Sequence, residues 1–167
     1  MAEEMVPIVD EDNNIIEVVP RSVMRKNRLP HRASYIVLQN RENKFYVELR
    51  TMIKDYCPGM LDACVGGVFT EGEDIIESGK RELKEELGVI CDIEFLGWKK
   101  LQSRQDTFVY AGLFYAKYDG EIVMQESEVD EVYLKSFTDI IENDKDYTPD
   151  SVLAIKEVVK IKNLTVH

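Results

Sequence analysis

The most regular hydrophobic pattern in the chain lies in residues 74–87. Apolar or small residues recur there every four positions, with one further apolar residue beside them: Ile75, Gly79, Leu83, Leu87 and Ile76. This spacing is typical of an α-helix with one apolar stripe. Gly88 follows directly and suits the left-handed residue that commonly ends a helix. The pattern therefore predicts an amphipathic helix over 74–87 with one face packed on the rest of the protein.

Short apolar runs before this helix predict strands. They are Val6–Val9, Ile15–Val19, Ala33–Leu38, Phe45–Leu49 and Leu61–Val68. The first two flank the polar sequence Asp-Glu-Asp-Asn-Asn, so we expect a hairpin there, followed by a short basic helix at Arg21–Asn27. Residues 1–30 thus form an N-terminal hairpin and short helix. Thr51–Met60 contains Pro58-Gly59 and is expected to be a loop.

The second half of the chain also favours strands and then ends in helices. Strands are expected at Cys91–Leu101, Thr107–Tyr118 and Glu128–Leu134, and helices at Phe137–Asn143 and within 148–164. Thr148 and Pro149 mark the start of the last helix, because proline is favoured in a first helical turn. Strands on both sides of a central helix predict an α/β or α+β fold, a mixed β-sheet with helices packed on it. We expect residues 1–167 to form one domain.

Composition narrows the class of partner. The net charge of −11 argues against nucleic acid or an anionic membrane as partner. A phosphorylated small molecule stays compatible with it, because bound divalent cations reverse the charge locally. Three cysteines lack zinc-type spacing, the N-terminus shows no signal peptide, and no stretch approaches a membrane span in length. We expect a cytoplasmic protein with reduced thiols. The sequence does not determine its oligomeric state, and a homodimer is possible.

Three glutamates give the predicted helix its chemistry. Glu82, Glu85 and Glu86 stand at i, i+3 and i+4, so their carboxylates share one face. Glu86 falls inside the apolar stripe, and a partly buried carboxylate cluster requires a compensating positive charge. Oxygen ligands favour a hard cation, Mg²⁺ or Mn²⁺. The alternative is a solvated acidic helix, whose own lysines and arginine neutralise the glutamates.

The segment 67–89 reads Gly-Val-Phe-Thr-Glu-Gly-Glu-Asp-Ile-Ile-Glu-Ser-Gly-Lys-Arg-Glu-Leu-Lys-Glu-Glu-Leu-Gly-Val. It resembles the signature of the Nudix hydrolase superfamily, and every fixed position of that signature is filled. The resemblance implies an α/β/α sandwich with a mixed sheet. It also implies metal-dependent cleavage of a diphosphate that is joined to some other group.

Roles within the site follow from this resemblance together with the helix pattern. The expected metal ligands are Glu82, Glu85, Glu86 and the carbonyl oxygen of Gly67. The candidates for the general base are Glu85 and Glu128. Three further residues are expected to be structural or orienting: Glu73, Arg81 and Gly88. Arg81 should orient carboxylates rather than touch substrate, and Glu73 should support the helix start or pair with Arg81.

A longer stretch resembles one Nudix branch, the isopentenyl diphosphate isomerases. The matching motifs are His31-Arg-Ala-Ser, Arg50-x-x-x-Lys54, Cys57-Pro-Gly and Glu126-x-Glu128-Val. By this resemblance Arg50 and Lys54 bind the diphosphate, and His31, Glu126 and Glu128 bind metal. Taken alone, the two basic residues are ordinary surface cations, and residues 126–130 are a solvated acidic turn.

Departures from that branch separate hydrolysis from isomerisation. The isomerase uses a cysteine directly before Gly-His, whereas this chain has Gly66 at the cysteine position and Val68 at the histidine position. Cys64 stands two residues early, about 7 Å away along a strand. Met24 stands near the place of an N-terminal metal histidine. We therefore expect an isomerase-like scaffold with hydrolase chemistry.

The functional prediction is metal-dependent hydrolysis of a diphosphate linkage in a nucleoside diphosphate-linked or related small molecule. Two alternatives stay open: isomerisation of an isoprenoid diphosphate, and a catalytically silent Nudix-like binding module. Recognition of the attached group is expected in the loops Thr51–Gly59 and Gln102–Asp106, and the sequence does not identify that group. Tyr115 is expected to line the pocket or to pack in the sheet.

Overall fold

The computed structural model describes residues 2–104 and 106–167. The strands in this part of the chain are β1 (Met5–Val9), β2 (Ile15–Pro20), β3 (His31–Gln39), β4 (Phe45–Arg50), β5 (Leu61–Asp62), β6 (Glu94–Arg104), β7 (Thr107–Lys117) and β8 (Val129–Lys135). The helices are α1 (Arg21–Asn27), α2 (Ile75–Leu87), α3 (Phe137–Glu142) and α4 (Pro149–Lys162), with a 3₁₀ turn at Asp144–Asp146. Gln105, in the expected recognition loop 102–106, lies outside the described residues.

One mixed sheet contains these strands, and β3 lies at its centre. β3 pairs in parallel with β7 over nine residue pairs, from His31–Val109 to Gln39–Lys117. On its other side β3 joins β1 and β4, while β6 extends the sheet beyond β7 and β8 pairs with β4. A parallel pair of strands requires a crossover connection. The crossover from β3 to β7 contains α2, which places that helix on one face of the sheet.

Alternate residues of β3 point to two different hydrophobic layers. Ile36 and Leu38 are buried with the α2 residues Leu83 and Leu87. The intervening residues of β3 are buried in a second cluster, which holds Tyr35 and Val37 together with Val152, Ile155 and Val158 of α4. This period of two is the pattern expected of a strand buried on both faces. The predicted α+β sandwich, with helices on both sides of a mixed sheet, is confirmed.

Helix α2 has the ends and the buried face that its sequence indicates. Asp74 caps it, since the N–H of Glu77 donates to Asp74 Oδ2 at 3.1 Å. Gly88 ends it with a φ of 65°. Gly79 permits a close approach to the sheet, because a Cβ there would lie 3.2 Å from Phe114 Cζ on β7. One position of the predicted stripe is wrong: Ile76 is 39% exposed, because it lies beside the line of residues that faces the sheet.

Three predicted element boundaries are wrong. Of the predicted strand Leu61–Val68, only Leu61–Asp62 forms a strand, and the rest meets β3 through isolated bridges at Val65 and Val68. The predicted strand Cys91–Leu101 begins at Glu94 and continues to Arg104. Residues 102–104, expected in a loop, therefore belong to β6. The sequence predicts strands over residues 63–68 and 91–93 because hydrophobic pattern alone does not distinguish a packed segment from a strand with ladder pairing.

No helix in the described part of the chain is long and apolar enough to cross a membrane.

Candidate active site

Of the three glutamates that share one face of α2, Glu82, Glu85 and Glu86, two are buried against the chain segment that leads into the helix. The side chains of Glu82 and Glu86 are 14% and 6% exposed, whereas that of Glu85 is 51% exposed. The N–H of Gly66 donates to Glu86 Oε2 at 3.3 Å. A Cβ on Gly67 would lie 2.7 Å from Glu82 Oε1, so glycine lets the backbone approach that carboxylate. The alternative interpretation, in which the glutamates of this helix are all solvated, is therefore wrong for this protein.

Burial raises the pKa of both enclosed carboxyl groups. Desolvation raises the pKa of Glu82 to about 7, with Arg81 opposing the shift and Glu85 adding to it. The pKa of Glu86 rises to about 8, first through burial and then through the charge of Glu82, while Lys54 opposes the change. The protein thus leaves these two groups short of positive charge. An added cation would favour their ionised forms.

Among the described residues, Lys54 is one of two cations that contact this face. Lys54 Nζ lies 3.5 Å from Glu86 Oε1 and also pairs with Glu128. The side chain of Lys54 is 16% exposed, so the interpretation of this residue as an ordinary surface cation is wrong. Glu128, which lies just before β8, is thereby connected to the glutamates of α2.

Arg81 is the second cation, and it ties three carboxylates together. Its Nη2 lies 2.7 Å from Glu73 Oε2, and its Nη1 lies 3.3 Å from Glu82 Oε1 and 3.2 Å from Glu85 Oε2. The ion pair expected between Arg81 and Glu73 is present. Glu73 also accepts the backbone N–H of Thr70 at 2.9 Å, which fixes the turn before α2.

The donor atoms on this face suit a hard divalent cation. They are the carboxylate oxygens of Glu82, Glu85, Glu86 and Glu128. The carbonyl oxygen of Gly67, the expected fourth ligand, accepts the N–H of Ser34 at 2.9 Å and would have its second lone pair left for a metal. Mg²⁺ and Mn²⁺ prefer such oxygen ligands, and two of these carboxyl groups are buried with raised pKa values. Across residues 2–104 and 106–167 no three acidic, histidine or cysteine side chains already converge with metal-binding geometry. Lys54 and Arg81 contact the carboxylates instead.

Arg50 is held by its neighbours rather than free at the surface. Its Nη1 lies 2.9 Å from Asp62 Oδ2, and its Nε donates to the carbonyl oxygen of Tyr56 at 3.0 Å. The side chains of Arg50 and Asp62 are only 13% and 17% exposed. The surface-cation interpretation is therefore wrong for Arg50 as well. Its guanidinium anchors the loop that follows β4 and lines the cavity described below.

Glu48 is a buried carboxyl group that is not among the site residues predicted from the sequence. It lies on β4, two residues before Arg50, and no described residue donates a hydrogen bond to its Oε2. Burial, followed by the charges of Glu86 and Asp62, raises the pKa of Glu48 well above its usual range. Burial therefore favours the neutral form of this carboxyl group. A signal was available in the sequence, since one glutamate interrupts the apolar strand Phe45–Leu49.

A cavity of about 290 Å³ adjoins the carboxylate face. Its lining includes Gly66, Gly67 and Lys54, which also contact the buried glutamates of α2. Further lining residues come from α1, from β3 and from the loop after β4: Arg21, Arg25, Arg28, His31, Tyr35, Asp55 and Tyr56. The cavity and the carboxylate face therefore adjoin one another and share Gly66, Gly67 and Lys54. We name it the inner cavity.

Asp150, at the start of α4, joins two tyrosines of the inner cavity. Tyr35 Oη donates to Asp150 Oδ2 at 2.5 Å, and Tyr56 Oη donates to Asp150 Oδ1 at 2.9 Å. Burial, together with the charge of Asp150, raises the pKa of Tyr35 well above its usual range. Tyr115 instead packs in the sheet and donates to Gln39 Oε1 at 2.6 Å. Of its two expected places, the sheet is the one observed.

The backbone leaves no room for a side chain where the isomerase has its cysteine. A Cβ on Gly66 would lie 1.8 Å from the carbonyl oxygen of Ser34. Cys64 borders the inner cavity but is 2% exposed, and its thiol donates to the carbonyl oxygen of Ser151 with an Sγ–O distance of 3.6 Å. Burial and nearby carboxylates raise the pKa of Cys64 well above its usual range. Cys64 is thus a buried neutral thiol.

The three metal ligands implied by the isomerase resemblance are not brought together. His31 lies in the wall of the inner cavity, where its Nδ1 is 3.0 Å from the carbonyl oxygen of Leu29. Glu126 is exposed. Glu128 contacts the carboxylate face through Lys54, as described above. Met24, near the place of the missing histidine, is buried with Val6 and Ile8.

Comparison with protein families identifies the class of protein. The NUDIX domain model matches residues 29–155, and the chain therefore belongs to the Nudix family of hydrolases. An uncharacterised Nudix hydrolase from Yersinia pestis is 40% identical over 153 residues, which cover 91% of this chain and 84% of that relative. The uncharacterised Nudix hydrolase YfcD of Escherichia coli K12 is 39% identical over the same shares of the two chains.

Solved structures of low sequence identity share the fold. The MutT protein from Methanosarcina mazei superposes with a TM-score of 0.68 and 17% identity, covering 81% of this chain and 96% of that one. DR0079 from Deinococcus radiodurans gives a TM-score of 0.65 with 20% identity, covering 84% and 90%. At these identities the likeness shows the fold alone. It agrees with the mixed sheet and flanking helices described above.

Proposed function

We propose that this protein hydrolyses a diphosphate linkage in a small molecule, in a reaction that depends on Mg²⁺ or Mn²⁺. The observation that carries this proposal is the buried pair Glu82 and Glu86. Both carboxyl groups have pKa values raised by burial, and both lie on one helix face beside the inner cavity. A divalent cation would compensate the charge of this pair. The complete Nudix signature supports the same chemistry.

The residues that would hold the cation are Glu82, Glu85, Glu86 and the Gly67 carbonyl. When bound, divalent cations polarise the phosphorus centre and lower the pKa of the attacking water. The chain's own groups supply the rest. Arg81 keeps Glu82 and Glu85 aligned through its two contacts. Glu85 or Glu128 accepts the proton of the water.

Positioning of the diphosphate falls to Arg50 and Lys54. Both side chains line the inner cavity next to Gly66 and Gly67, so they lie where the substrate would approach the carboxylate face. Arg50 is pre-organised by Asp62, and a rigid guanidinium binds phosphate oxygens with little further ordering. Lys54 would exchange its carboxylate partners for a phosphate once divalent cations neutralise those carboxylates.

The rival functions have less support. Isomerisation requires a thiol, and neither Gly66 nor the buried neutral Cys64 supplies a reactive one. A silent binding module would not need the complete set of glutamates that α2 retains. The chain has an odd number of cysteines, Cys57, Cys64 and Cys91. They support a reducing compartment, and we include a cytoplasmic location in the proposal.

The test is a phosphate-release screen over nucleoside diphosphate sugars, dinucleoside polyphosphates and alkyl diphosphates, each with Mg²⁺, Mn²⁺ or EDTA. We expect turnover with metal and none with EDTA. Glu86→Gln should lower kcat by several orders of magnitude, since the charge that holds the metal is removed. The matched control is Glu77→Gln, an exposed glutamate on the same helix. Equal rates with EDTA, or a folded Glu86→Gln enzyme at the wild-type rate, would contradict the proposal.

A further inference from the structure

The inner cavity concentrates positive charge in an acidic protein. Five cationic side chains line it, Arg21, Arg25, Arg28, Arg50 and Lys54, against three carboxylates, Asp55, Asp62 and Asp150. The whole chain carries a net charge of −11. The lining side chains alone thus carry two more positive than negative charges, and such a lining attracts anionic ligands wherever its cations are incompletely compensated.

All five of these cations have a carboxylate partner, but the pairs differ in quality. Arg50 pairs with Asp62, as described above, and Arg28 Nη1 lies 2.7 Å from Asp106 Oδ2. Arg21 Nε donates to Asp55 Oδ2 at 2.9 Å, and a second contact joins Arg21 to Glu4. The arginines of the cavity therefore differ in how completely a carboxylate compensates their charge.

Arg25 is the guanidinium with the weakest compensation. Its Nε lies 3.5 Å from Asp55 Oδ2, an oxygen that already accepts from Arg21. No described residue accepts a hydrogen bond from Arg25 Nε, although the atom is buried. The guanidinium carbon lies 5.3 Å from the ring centroid of Tyr56, which holds the side chain in the cavity wall. The side chain as a whole is 25% exposed, and an added anion in the cavity would stabilise a guanidinium in this state.

The remaining polar wall offers hydrogen-bond acceptors. A carbonyl oxygen only accepts, so the contact with Leu29 places the proton of His31 on Nδ1 and leaves Nε2 as an acceptor. Burial lowers the pKa of His31 to about 4, and the ring is neutral at neutral pH. Asp150 is the second acceptor. Such a wall suits hydroxyl groups on the part of a substrate that lies between two anionic ends.

We propose that the inner cavity binds a second anionic group of the substrate, a phosphate or carboxylate carried by the compact group to which the diphosphate is attached, with Arg25 as its principal ligand. This inference rests on the proposed function, because it places the diphosphate at Arg50, Lys54 and the carboxylate face. The volume of about 290 Å³ lies at the small end of ligand sites, roughly 300–1,000 Å³. It therefore favours one ring or short chain over a dinucleotide.

The experiment compares diphosphates that differ in the charge of the far end. 3-Methylbutyl diphosphate and 2-carboxyethyl diphosphate have the same shape, with an isopropyl group in one and a carboxylate in the other. 5-Phosphoribosyl 1-diphosphate adds a longer, hydroxylated spacer and a phosphate. Binding to the Mg²⁺-loaded protein is measured by calorimetry, and phosphate release is measured separately. We expect the two probes with an anionic far end to bind at least about 10-fold more tightly than the alkyl probe.

Arg25→Met should remove this preference and leave the affinity for 3-methylbutyl diphosphate unchanged. The matched control is Lys26→Met, which removes an exposed charge from the next position of α1. Arg25→Lys retains the charge and should keep part of the preference for probes with an anionic far end. This variant still tests the inference if Arg25→Met does not fold. Tighter binding of the alkyl probe, or an equal loss for all probes in Arg25→Met, overturns the inference. Arg25-dependent binding without phosphate release would instead reject the proposed hydrolysis.

Discussion

Lys54 Nζ lies 3.5 Å from Glu86 Oε1, so an ammonium group lies where the buried carboxylates of α2 require positive charge. The same ammonium pairs with Glu128. Lys54 therefore stands in for part of the charge that a divalent cation would supply. It has two successive roles in the proposed function, first as partner of the carboxylates and then as partner of the diphosphate.

Lys54→Met should tighten the binding of Mg²⁺ by several-fold while kcat/KM for the substrate falls. Removal of the ammonium leaves the carboxylates more negative and removes a competitor for the metal. The diphosphate loses one cation at the same time. Calorimetry with Mg²⁺ alone measures the first effect, and Lys80→Met, an exposed lysine on α2, is the control. Weaker Mg²⁺ binding in Lys54→Met would show that Lys54 does not compete with the metal.

The metal-free protein should lose stability between pH 6.5 and pH 8. Folding raises the pKa of Glu82 from 4.5 to about 7 and that of Glu86 from 4.5 to about 8. The folded state therefore binds more protons than the unfolded chain, and its advantage disappears as the pH rises through the folded pKa values. His31 acts in the opposite direction, with its pKa lowered from 6.5 to about 4. The contribution of His31 to the free energy of unfolding no longer changes above the unfolded pKa of histidine. The change in stability between pH 6.5 and pH 8 therefore reports on the glutamates.

Thermal unfolding in EDTA measures this effect. Tm should fall from pH 6.5 to pH 8, and Glu86→Gln should reduce the slope because the amide does not titrate. Added Mg²⁺ should raise Tm most at pH 8, where the carboxylates are ionised and ready to bind metal. A wild-type slope in Glu86→Gln would assign the pH dependence to other groups.

Arg50→Ala should lower stability and substrate affinity together. It leaves the buried Asp62 without its ion-pair partner, which costs roughly 3–5 kcal/mol when a buried pair is broken. The double variant Arg50→Ala/Asp62→Asn removes both charges and should recover most of the lost Tm. It should not recover kcat/KM, because the diphosphate still lacks a guanidinium. Recovery of both properties would make Arg50 a purely structural residue.

Gly66→Cys should disrupt folding rather than create an isomerase. Its Cβ would lie 1.8 Å from a backbone oxygen, and backbone cannot move aside as a flexible side chain can. Cys64→Ala should retain phosphate release with a modest loss of Tm, since Cys64 packs as a small apolar side chain. The test incubates wild type and Cys64→Ala with isopentenyl diphosphate and Mg²⁺. Formation of the dimethylallyl isomer by wild type, and its loss in Cys64→Ala, would show that the protein is an isomerase.

The sequence predicts best those parts of the fold that are determined by residues close together in the chain. Helix α2, its cap at Asp74, its end at Gly88 and its carboxylate face all follow from a period of 3.6 residues and from local backbone preferences. The burial of Glu86 follows from the same period. The strand ends and the segment Leu61–Val68 are less predictable, because ladder pairing depends on which strand lies alongside.

The inner cavity lies beyond what the sequence alone predicts. Arg25, Tyr56 and Asp150 come from α1, from the loop after β4 and from the start of α4, and only the tertiary fold brings them together. A lone arginine on a short helix gives no sign of its burial in the folded protein. Glu48, which does not line this cavity, is different, because a charged residue within an apolar strand is visible in the sequence itself.

The two halves of the site lie on different parts of the chain. The carboxylates of the proposed hydrolytic centre come mainly from α2, whereas the arginines of the inner cavity come from α1 and the end of β4. Lys54 belongs to both halves. Substitutions on α1 would therefore alter which molecule is accepted while the reaction itself persists. Such an arrangement lets a family of catalysts acquire new substrates by drift in one short helix, and it makes α1 the first place to randomise in directed evolution of selectivity.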